Sequence, residues 1–240
     1  MSKCIKKFQT TSEYNAYVAS SDFVTPNVSI CEDDHNNVHY TKWYETKVVA
    51  KVITENWHDN VQILNSTSNI SAVEIDGVAA EVTSLAYFEE PGEHLVKYTL
   101  FDNTSIDSNT FAYCTSFTSI TMPDSVTSIG ENAFNGCSSL TSVLIPSGVT
   151  SIGSYAFNGC SGLTTIDIPS GVTSIGRQAF SYIENAISIT CNATTPPTLE
   201  DVNAFVLTNE CPIYVPAESV DAYKAATYWS DYASRIQAIP

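Results

Sequence analysis

The sequence predicts a mainly β protein of the α+β kind: a solenoid of 23-residue rungs, preceded by a small β-sandwich and a short helix-containing N-terminal element. Three observations predict this. Between Thr118 and Ala186 one pattern is written three times, as TSITMPDSVTSIGENAFNGCSSL, TSVLIPSGVTSIGSYAFNGCSGL and TTIDIPSGVTSIGRQAFSYIENA. A fixed period in this range marks stacked supersecondary units that bury a shared core. Each copy holds a short apolar alternation closed by Pro or Gly, which suits strands of a few residues. Residues 46–94 add five short apolar runs separated by turn signals. The resulting division is an attachment element over 1–45, the sandwich over 46–94, the repeats over 95–210 and a cap with a helix over 211–240.

In the first element, Thr10-Thr11-Ser12-Glu13 is a capping-box pattern, and Tyr14, Tyr17 and Val18 share one helical face. A short helix near 11–19 follows. Pro26 to Cys31 reads as extended, and Val38-His39-Tyr40 resumes the alternation after the polar stretch Glu32 to Asn37. The two runs predict a hairpin around an Asx-rich turn.

In the second, Val48–Ile53, Val61–Leu64, Ile70–Ile75, Glu81–Phe88 and His94–Leu100 read as strands. Asp76-Gly77 closes the third, and Pro91-Gly92 precedes the fifth. Five short strands punctuated in this way suggest a small sandwich. The run Pro91-Gly92-Glu93-His94-Leu95-Val96-Lys97-Tyr98-Thr99-Leu100 resembles the last strand of bacterial immunoglobulin-like or PKD-like modules.

In the middle rung, Val143 and Ile145 alternate with Ser142 and Leu144, so a short strand turns two side chains inward. Pro146 ends it, Ser147-Gly148 turns the chain, and Val149 and Ile152 continue the inner row. Gly153 breaks the chain again. Ala156, Phe157 and Cys160 have the spacing of one helical turn, and Leu163 leads onward. Stacking such rungs at the ~4.7 Å strand spacing buries their apolar rows in a parallel ladder. The period also reaches backwards. Ile106, Phe111, Cys114 and Phe117 each lie 23 residues before Ile129, Phe134, Cys137 and Leu140, so 95–117 is a degenerate first rung whose strand abuts the sandwich.

The Ile-Pro of the strand, Val-Thr-Ser-Ile-Gly, Ala-Phe and Gly-Cys-Ser-x-Leu closely resemble the BspA-type leucine-rich repeat of bacterial surface proteins. The resemblance covers about half of the chain. It fades in the third copy, where Tyr182-Ile183-Glu184 replaces Gly-Cys-Ser. The array is then expected to be sealed, since an open end exposes apolar side chains and an unpaired edge. Ile187–Cys191 and Cys211–Pro216 read as strands, Ala204-Phe205 as a last offset copy of Ala-Phe, and Ala217–Thr227 as a helix. Trp229, Tyr232 and Ile236 form a further apolar cluster. This tail resembles the C-terminal cap of repeat proteins from gut Bacteroidetes, and the whole arrangement is similar to proteins of those bacteria and their phages.

The formal net charge is -16, and residues 52–210 carry 17 acids against Lys97 and Arg177. Such a surface repels phosphate backbones, which argues against a nucleic-acid partner. No run approaches the ~18 apolar residues of a membrane span, so no membrane insertion is expected. The start, Met1-Ser2-Lys3-Cys4-Ile5-Lys6-Lys7, has bases without an apolar run behind them, which is not a secretory signal.

Cys114, Cys137 and Cys160 fall on the period and read as a column of buried thiols. Cys31-x3-His35-x3-His39 lacks a clear fourth ligand and reads as a solvated turn, so no metal or other cofactor is expected. His35, His39, His58 and His94 all precede the clean repeats, and no nucleophile elbow or phosphate loop occurs, which points away from an enzyme.

Comparison of the rungs separates framework from free positions. Thr121, Leu144 and Asp167 form an outward strand set, and Tyr155 and Arg177 belong to a second varied set. These five are the candidate binding residues. The expected function is a non-enzymatic recognition or adhesion module presenting the repeat face to a protein or a surface glycan, at the cell surface or outside the cell. The alternative is a decoration or fibre protein of a phage virion, docked on a larger assembly through residues 1–45.

Overall fold

The computed structural model describes residues 28–32, 38–42, 47–56 and 59–240, with the backbone alone for 28–42 and Asp59. The helix expected near 11–19 and the side chains of Cys31, His35 and His39 lie outside this description. The chain divides into two compact units, Met1–Glu45 and Thr46–Pro240. In the first, β1 (Val28–Glu32) and β2 (Val38–Lys42) pair antiparallel as the expected hairpin, with Cys31 opposite His39.

The second unit begins with β3 (Lys47–Thr54), β4 (Asp59–Gln62), β5 (Ile70–Ile75), β6 (Val78–Ala80), β7 (Leu85–Phe88) and β8 (Gly92–Leu100). The solenoid strands follow: β9 (Ser105–Ile106), β10 (Phe117–Thr121), β11 (Ser128–Ile129), β12 (Ser142–Leu144), β13 (Ser151–Ile152), β14 (Thr165–Ile168) and β15 (Ser174–Ile175). The array continues through β16 (Ser188–Cys191) and β17 (Thr198–Leu199), past the third copy where the repeat pattern fades, and the cap holds β18 (Ile213–Val215), helix α1 (Val220–Ala225) and β19 (Ile236–Ala238).

The expected sandwich over 46–94 is not closed on itself. Its strands form a sheet of order β12-β10-β3-β8-β5-β6, with β4 and β7 as a separate two-stranded ribbon. Val48, Ala50 and Val52 of β3 face the core, and β3 lies between β8 and β10, antiparallel to both. The sheet therefore runs straight into the solenoid, because the β3 edge, which would otherwise present unpaired N–H and C=O groups, is completed by β10. The fifth predicted strand, β8, sits in the interior of the sheet rather than at the end of a separate module. Glu81–Phe88 was expected as one strand, but only Leu85–Phe88 is extended in this way. Val78–Ala80 instead pairs back on β5 through Asp76-Gly77, where both residues have positive φ, 50° and 85°, as a two-residue hairpin turn requires.

Each solenoid rung contributes to two parallel ladders. One has the order β9-β11-β13-β15-β17. The other starts at β10-β12 and resumes as β14-β16-β18-β19, with no ladder hydrogen bonds across β12 and β14. The Ala-Phe segment, expected as a helical turn, is a non-helical turn bonded between rungs. Phe134 N–H donates to Ala156 O at 2.8 Å and Phe157 N–H to Ala179 O at 2.8 Å. Those bonds replace the i→i−4 bonds of a helix.

Inside this turn row the phenyl rings of Phe111, Phe134, Phe157, Phe180 and Phe205 stack face to face. Centroids are 5.1–5.8 Å apart and planes are within 13°. Tyr98 of β8 closes one end edge-on at 5.0 Å. Trp229 and Tyr232 close the other at 5.3 and 5.6 Å. The periodic cysteines run beside the rings as buried free thiols. Cys137 Sγ donates to Phe111 O and Cys160 Sγ to Phe134 O, both at 3.1 Å. Burial pushes the Cys114 and Cys160 thiols well above their ordinary range. The glycine of Ser-Ile-Gly recurs because the rungs touch there. A Cβ on Gly153 would lie 2.7 Å from the Gly130 and Glu131 backbone, and one on Gly176 2.3 Å from Ser154 N.

The cap follows the sequence in outline. α1 is shorter than the expected helix and is preceded by a 3-10 turn at Ala217–Ser219. Trp229 Nε1 donates to Pro197 O at 2.7 Å, and Tyr223 Oη to Ala193 O at 2.8 Å. β19 was not anticipated. It pairs parallel to β18, supported by buried Arg235, whose Nε donates to Cys211 O and Nη2 to Thr208 Oγ1, both at 2.8 Å.

Replacing Gly153 by Ala is expected to destabilise the protein by about 1–3 kcal/mol, as overpacking between rungs does. Chemical denaturation of the variant against wild type measures it.

Candidate recognition surface

Thr121 and Leu144 stand opposite each other in the parallel β10–β12 pair and point outward. The row continues through Val49, Lys97, Glu74 and Ala79, because β3, β8, β5 and β6 lie in the same sheet and pair in that register. Leu144 is 65% exposed, the most exposed large apolar side chain of this row. Asp167 begins the next sheet, where the corresponding row reads Asp167, Thr190, Tyr214 and Gln237. Its Oδ1 accepts a bond from Asn192 Nδ2 at 2.6 Å.

Three of the four lysines whose side chains are described, Lys47, Lys51 and Lys97, stand on the strands next to Thr121. Lys47 and Lys97 each approach Glu74 at 3.4 Å, and Lys51 pairs with Glu93 at 3.0 Å. The Lys47 hydrogen bond and charge hold the Glu74 carboxyl below its usual range. Sequence reasoning missed this extension of the face. Its signal was the β3 alternation of Lys47, Val49, Lys51 and Ile53 with buried residues.

Tyr155 and Arg177 lie elsewhere, in the turns after β13 and β15. They are neighbours: Tyr155 N–H donates to Arg177 O at 2.8 Å. Arg177 is engaged by the next rung. Its Nε approaches Asp201 Oδ2 at 3.1 Å, and its N–H donates to Glu200 Oε2 at 2.9 Å. Glu200 also accepts from Ser154 Oγ at 2.7 Å, and these bonds hold its carboxyl below the ordinary range. The structure thus brings Thr121 and Leu144 into one row, places Asp167 on the neighbouring sheet, and sets Tyr155 with Arg177 apart from them.

Tyr155 occupies a position that suits it poorly. Asn109, Asn132, Tyr155 and Gln178 all have positive φ, between 51° and 62°. Asparagine tolerates that region better than a bulky side chain does. In the preceding rung, Asn135 Nδ2 donates to Asn132 Oδ1 at 2.8 Å. The equivalent Asn158 Nδ2 is buried without a partner, because Tyr155 supplies no oxygen there.

No group of three or more His, Cys, Asp and Glu side chains forms a metal site among the described residues. The nearest approach to a catalytic arrangement is one the sequence did not reveal. His94 Nδ1 lies 2.8 Å from Asp76 Oδ2, and His94 Nε2 lies 3.2 Å from Thr54 Oγ1. Thr54 is only 4% exposed, and its hydroxyl also engages Gly92 N, Glu90 O and Gly92 O. Those bonds tie the 89–92 turn to the end of β3. A hydroxyl held by three backbone groups serves packing, and a nucleophile needs access to substrate.

The Tyr155→Asn variant is expected to be more stable than wild type by about 1 kcal/mol, through relief of the positive φ and the regained Asn158 bond. A rise in melting temperature checks it, and an unchanged or lower value contradicts this account of the turn.

Residues 104–219 match the family model of the BspA type leucine rich repeat region, in six copies. Among solved structures, a leucine rich repeat protein of T. pallidum shares 26% identity over 49% of this chain and 53% of its own, with a TM-score of 0.44. A leucine rich cell surface protein from Faecalibacterium prausnitzii A2-165 shares 28% over 57% of this chain and 34% of its own, at 0.43. A leucine-rich repeat protein from Bacteroides ovatus ATCC 8483 shares 21% over 67% and 55%, at 0.28. This chain thus spans between a third and about half of each of these proteins. No curated protein gives a significant match. The repeat region of this chain, residues 104–219, is thus similar in sequence to the BspA type of leucine rich repeat, over a little under half of the chain.

Proposed function

We propose that the protein is a non-enzymatic recognition or adhesion module that presents the outer face of its strand ladder to a macromolecular partner at a cell surface. The observation that carries this reading is the contrast between the two sides of the same strands. The inward side of the rung strands carries Ile120, Val143 and Ile166, whereas the outward position of the same strands changes from Thr121 to Leu144 to Asp167. A framework held constant beneath a varied row is what a repeat surface needs for specificity, since each rung contributes one adjustable position. The repeat family supports a part in interaction with proteins. A surface glycan is the other partner class that a hydroxyl-bearing ladder suits. Placement at the cell surface fits the description of the Faecalibacterium protein, and no helix among the described residues is long and apolar enough to cross a membrane.

A second reading has one observation in its favour. Residues 1–45 form a unit of their own, as a mount on a larger assembly such as a virion would. A coding sequence lying among capsid or tail genes supports that reading, and one among surface genes argues against it.

Leu144 is the residue to test. The Leu144→Arg variant is expected to melt within about 0.5 kcal/mol of wild type, as exposed substitutions do. It should lose binding to the surface proteins or glycans that retain wild type on an array. Absence of wild-type binding across both arrays contradicts the proposal.

A further inference from the structure

We infer that the row of turns following the β9–β17 ladder is a docking surface for an extended, lysine- or arginine-bearing segment of a partner protein, held against Tyr113, Tyr155 and Tyr182. This surface lies apart from the ladder strands, goes beyond the reading given above and stands or falls separately from it.

In consecutive turns Tyr113, Gly136, Gly159, Tyr182 and Leu207 occupy one column. Tyr113 N–H donates to Asn135 O at 2.6 Å, Gly136 N–H to Asn158 O at 2.7 Å, Gly159 N–H to Ser181 O at 2.9 Å and Tyr182 N–H to Val206 O at 3.0 Å. All five have positive φ, between 55° and 71°. That region suits glycine and is an outlier for a bulky side chain, and glycine is what two of the rungs carry. Tyr113 and Tyr182 nevertheless place rings there. They recover little by burial, being 58% and 46% exposed. In the turn that holds Gly159, Tyr155 adds a third ring, also at positive φ.

The fold makes little use of these rings. Among the described residues the side chains of Tyr113, Tyr155 and Tyr182 have no hydrogen-bond or ring partner. Tyr113 leans over Gly136, where a Cβ would lie 2.7 Å from its Cδ1. A Cβ on Gly159 would meet only Gly136 backbone, at 3.6 Å, so the floor between Tyr113 and Tyr182 is open. Aromatic side chains raised on a rigid backbone are the anchors from which interfaces draw most of their energy.

The surrounding charge selects the partner. Between Tyr98 and Tyr223 eleven acids stand against a single base, Arg177, and Asp201 and Glu200 already engage that base. Exposed Glu131 and Glu184 belong to the same turns, one residue before Asn132 and two after Tyr182. An acidic field draws cations to the surface, and the face of a phenol ring attracts an ammonium or guanidinium group. Rings and field thus favour the same side chains, whereas a neutral glycan would use the rings and not the field. The spacing suits an extended strand. Three ladder steps of ~4.7 Å set Tyr113 and Tyr182 about 14 Å apart, and side chains i and i+4 of an extended peptide lie about 13 Å apart on one side of it.

The test is fluorescence anisotropy of the full chain with a labelled peptide of alternating arginine and threonine, which sets every guanidinium on one side of an extended strand. Two control peptides carry citrulline or glutamate at the arginine positions. Wild type should bind the arginine peptide and neither control. Tyr113→Gly, Tyr182→Gly and Tyr155→Asn install residues that other rungs carry at these positions. Each should weaken binding about fivefold, the effect of one exposed cation–π contact, while keeping a cooperative melting transition. Leu144→Arg, on the ladder face, should bind as wild type does. Failure of the arginine peptide to bind overturns the inference, and equal binding of the citrulline peptide does the same. So does binding that all three tyrosine variants retain, the mark of diffuse attraction to an acidic chain. Retention of wild type on a glycan array that the tyrosine variants lose, with no peptide binding, also overturns it and makes the turns a carbohydrate platform. Each of these results leaves the ladder-face reading, which Leu144→Arg tests, standing.

Discussion

The five stacked phenylalanines are the constraint on which the rest of the molecule depends. A solenoid rung of this size has no core of its own, and its apolar row is stable only when the next rung covers it. Here the covering is done ring on ring, from Phe111 to Phe205, at 5.1–5.8 Å. Each such aromatic pair adds about 0.5–1.5 kcal/mol beyond the area it buries. The stack also sets the register. With the rings aligned, the Ala-Phe turns bond between rungs and the cysteine thiols reach the phenylalanine carbonyls one rung away. The Ser-Ile-Gly strands approach so closely that a Cβ at Gly153 or Gly176 does not fit. An array built this way must be closed at both ends. Tyr98 closes it from the N-terminal sheet, and Trp229 with Tyr232 closes it from the cap.

What the sequence made legible follows from this periodicity. Identical environments recur every 23 residues, so identical residues recur too, and Phe157, Cys160, Ile152 and Gly153 could be assigned to framework by comparing copies. The ladder strands, the Asp76-Gly77 turn and the apolar cluster of the cap were legible for similar local reasons. The insertion of β3 between β8 and β10 was not. It is an antiparallel pairing between residues about 70 positions apart, and neither partner carries a local mark of it. For the same reason 46–94 read as a module of its own, although its sheet and core are continuous with the repeats. The Ala-Phe turn read as helical because its apolar spacing is that of a helix, while its hydrogen bonds run between rungs.

The candidate residues divide along the same line. Thr121 and Leu144 could be found because a strand alternates, and the position facing away from the core is fixed once the inward one is known. Arg177 also varied between rungs, but for a different reason: its partners Asp201 and Glu200 belong to the next rung, just after β17. Variation between rungs reports a charged neighbour on the next rung as readily as a ligand. Tyr155 varies at a position where the backbone favours asparagine and leaves Asn158 without its bond. A side chain kept at such a local cost marks a place where something other than stability has shaped the sequence.

The central claim is that the N-terminal sheet and the solenoid are one cooperative body, joined by the β3–β10 pairing and by Tyr98 against Phe111. Native-state hydrogen exchange followed by mass spectrometry, in increasing denaturant, tests it most directly. The account predicts that amides of β3, β8, β10 and β11 lose protection together, at one denaturant concentration. Exposure of β3 and β8 at a lower concentration, with β10 and β11 still protected, would show an independent module hung on the repeats and would contradict it.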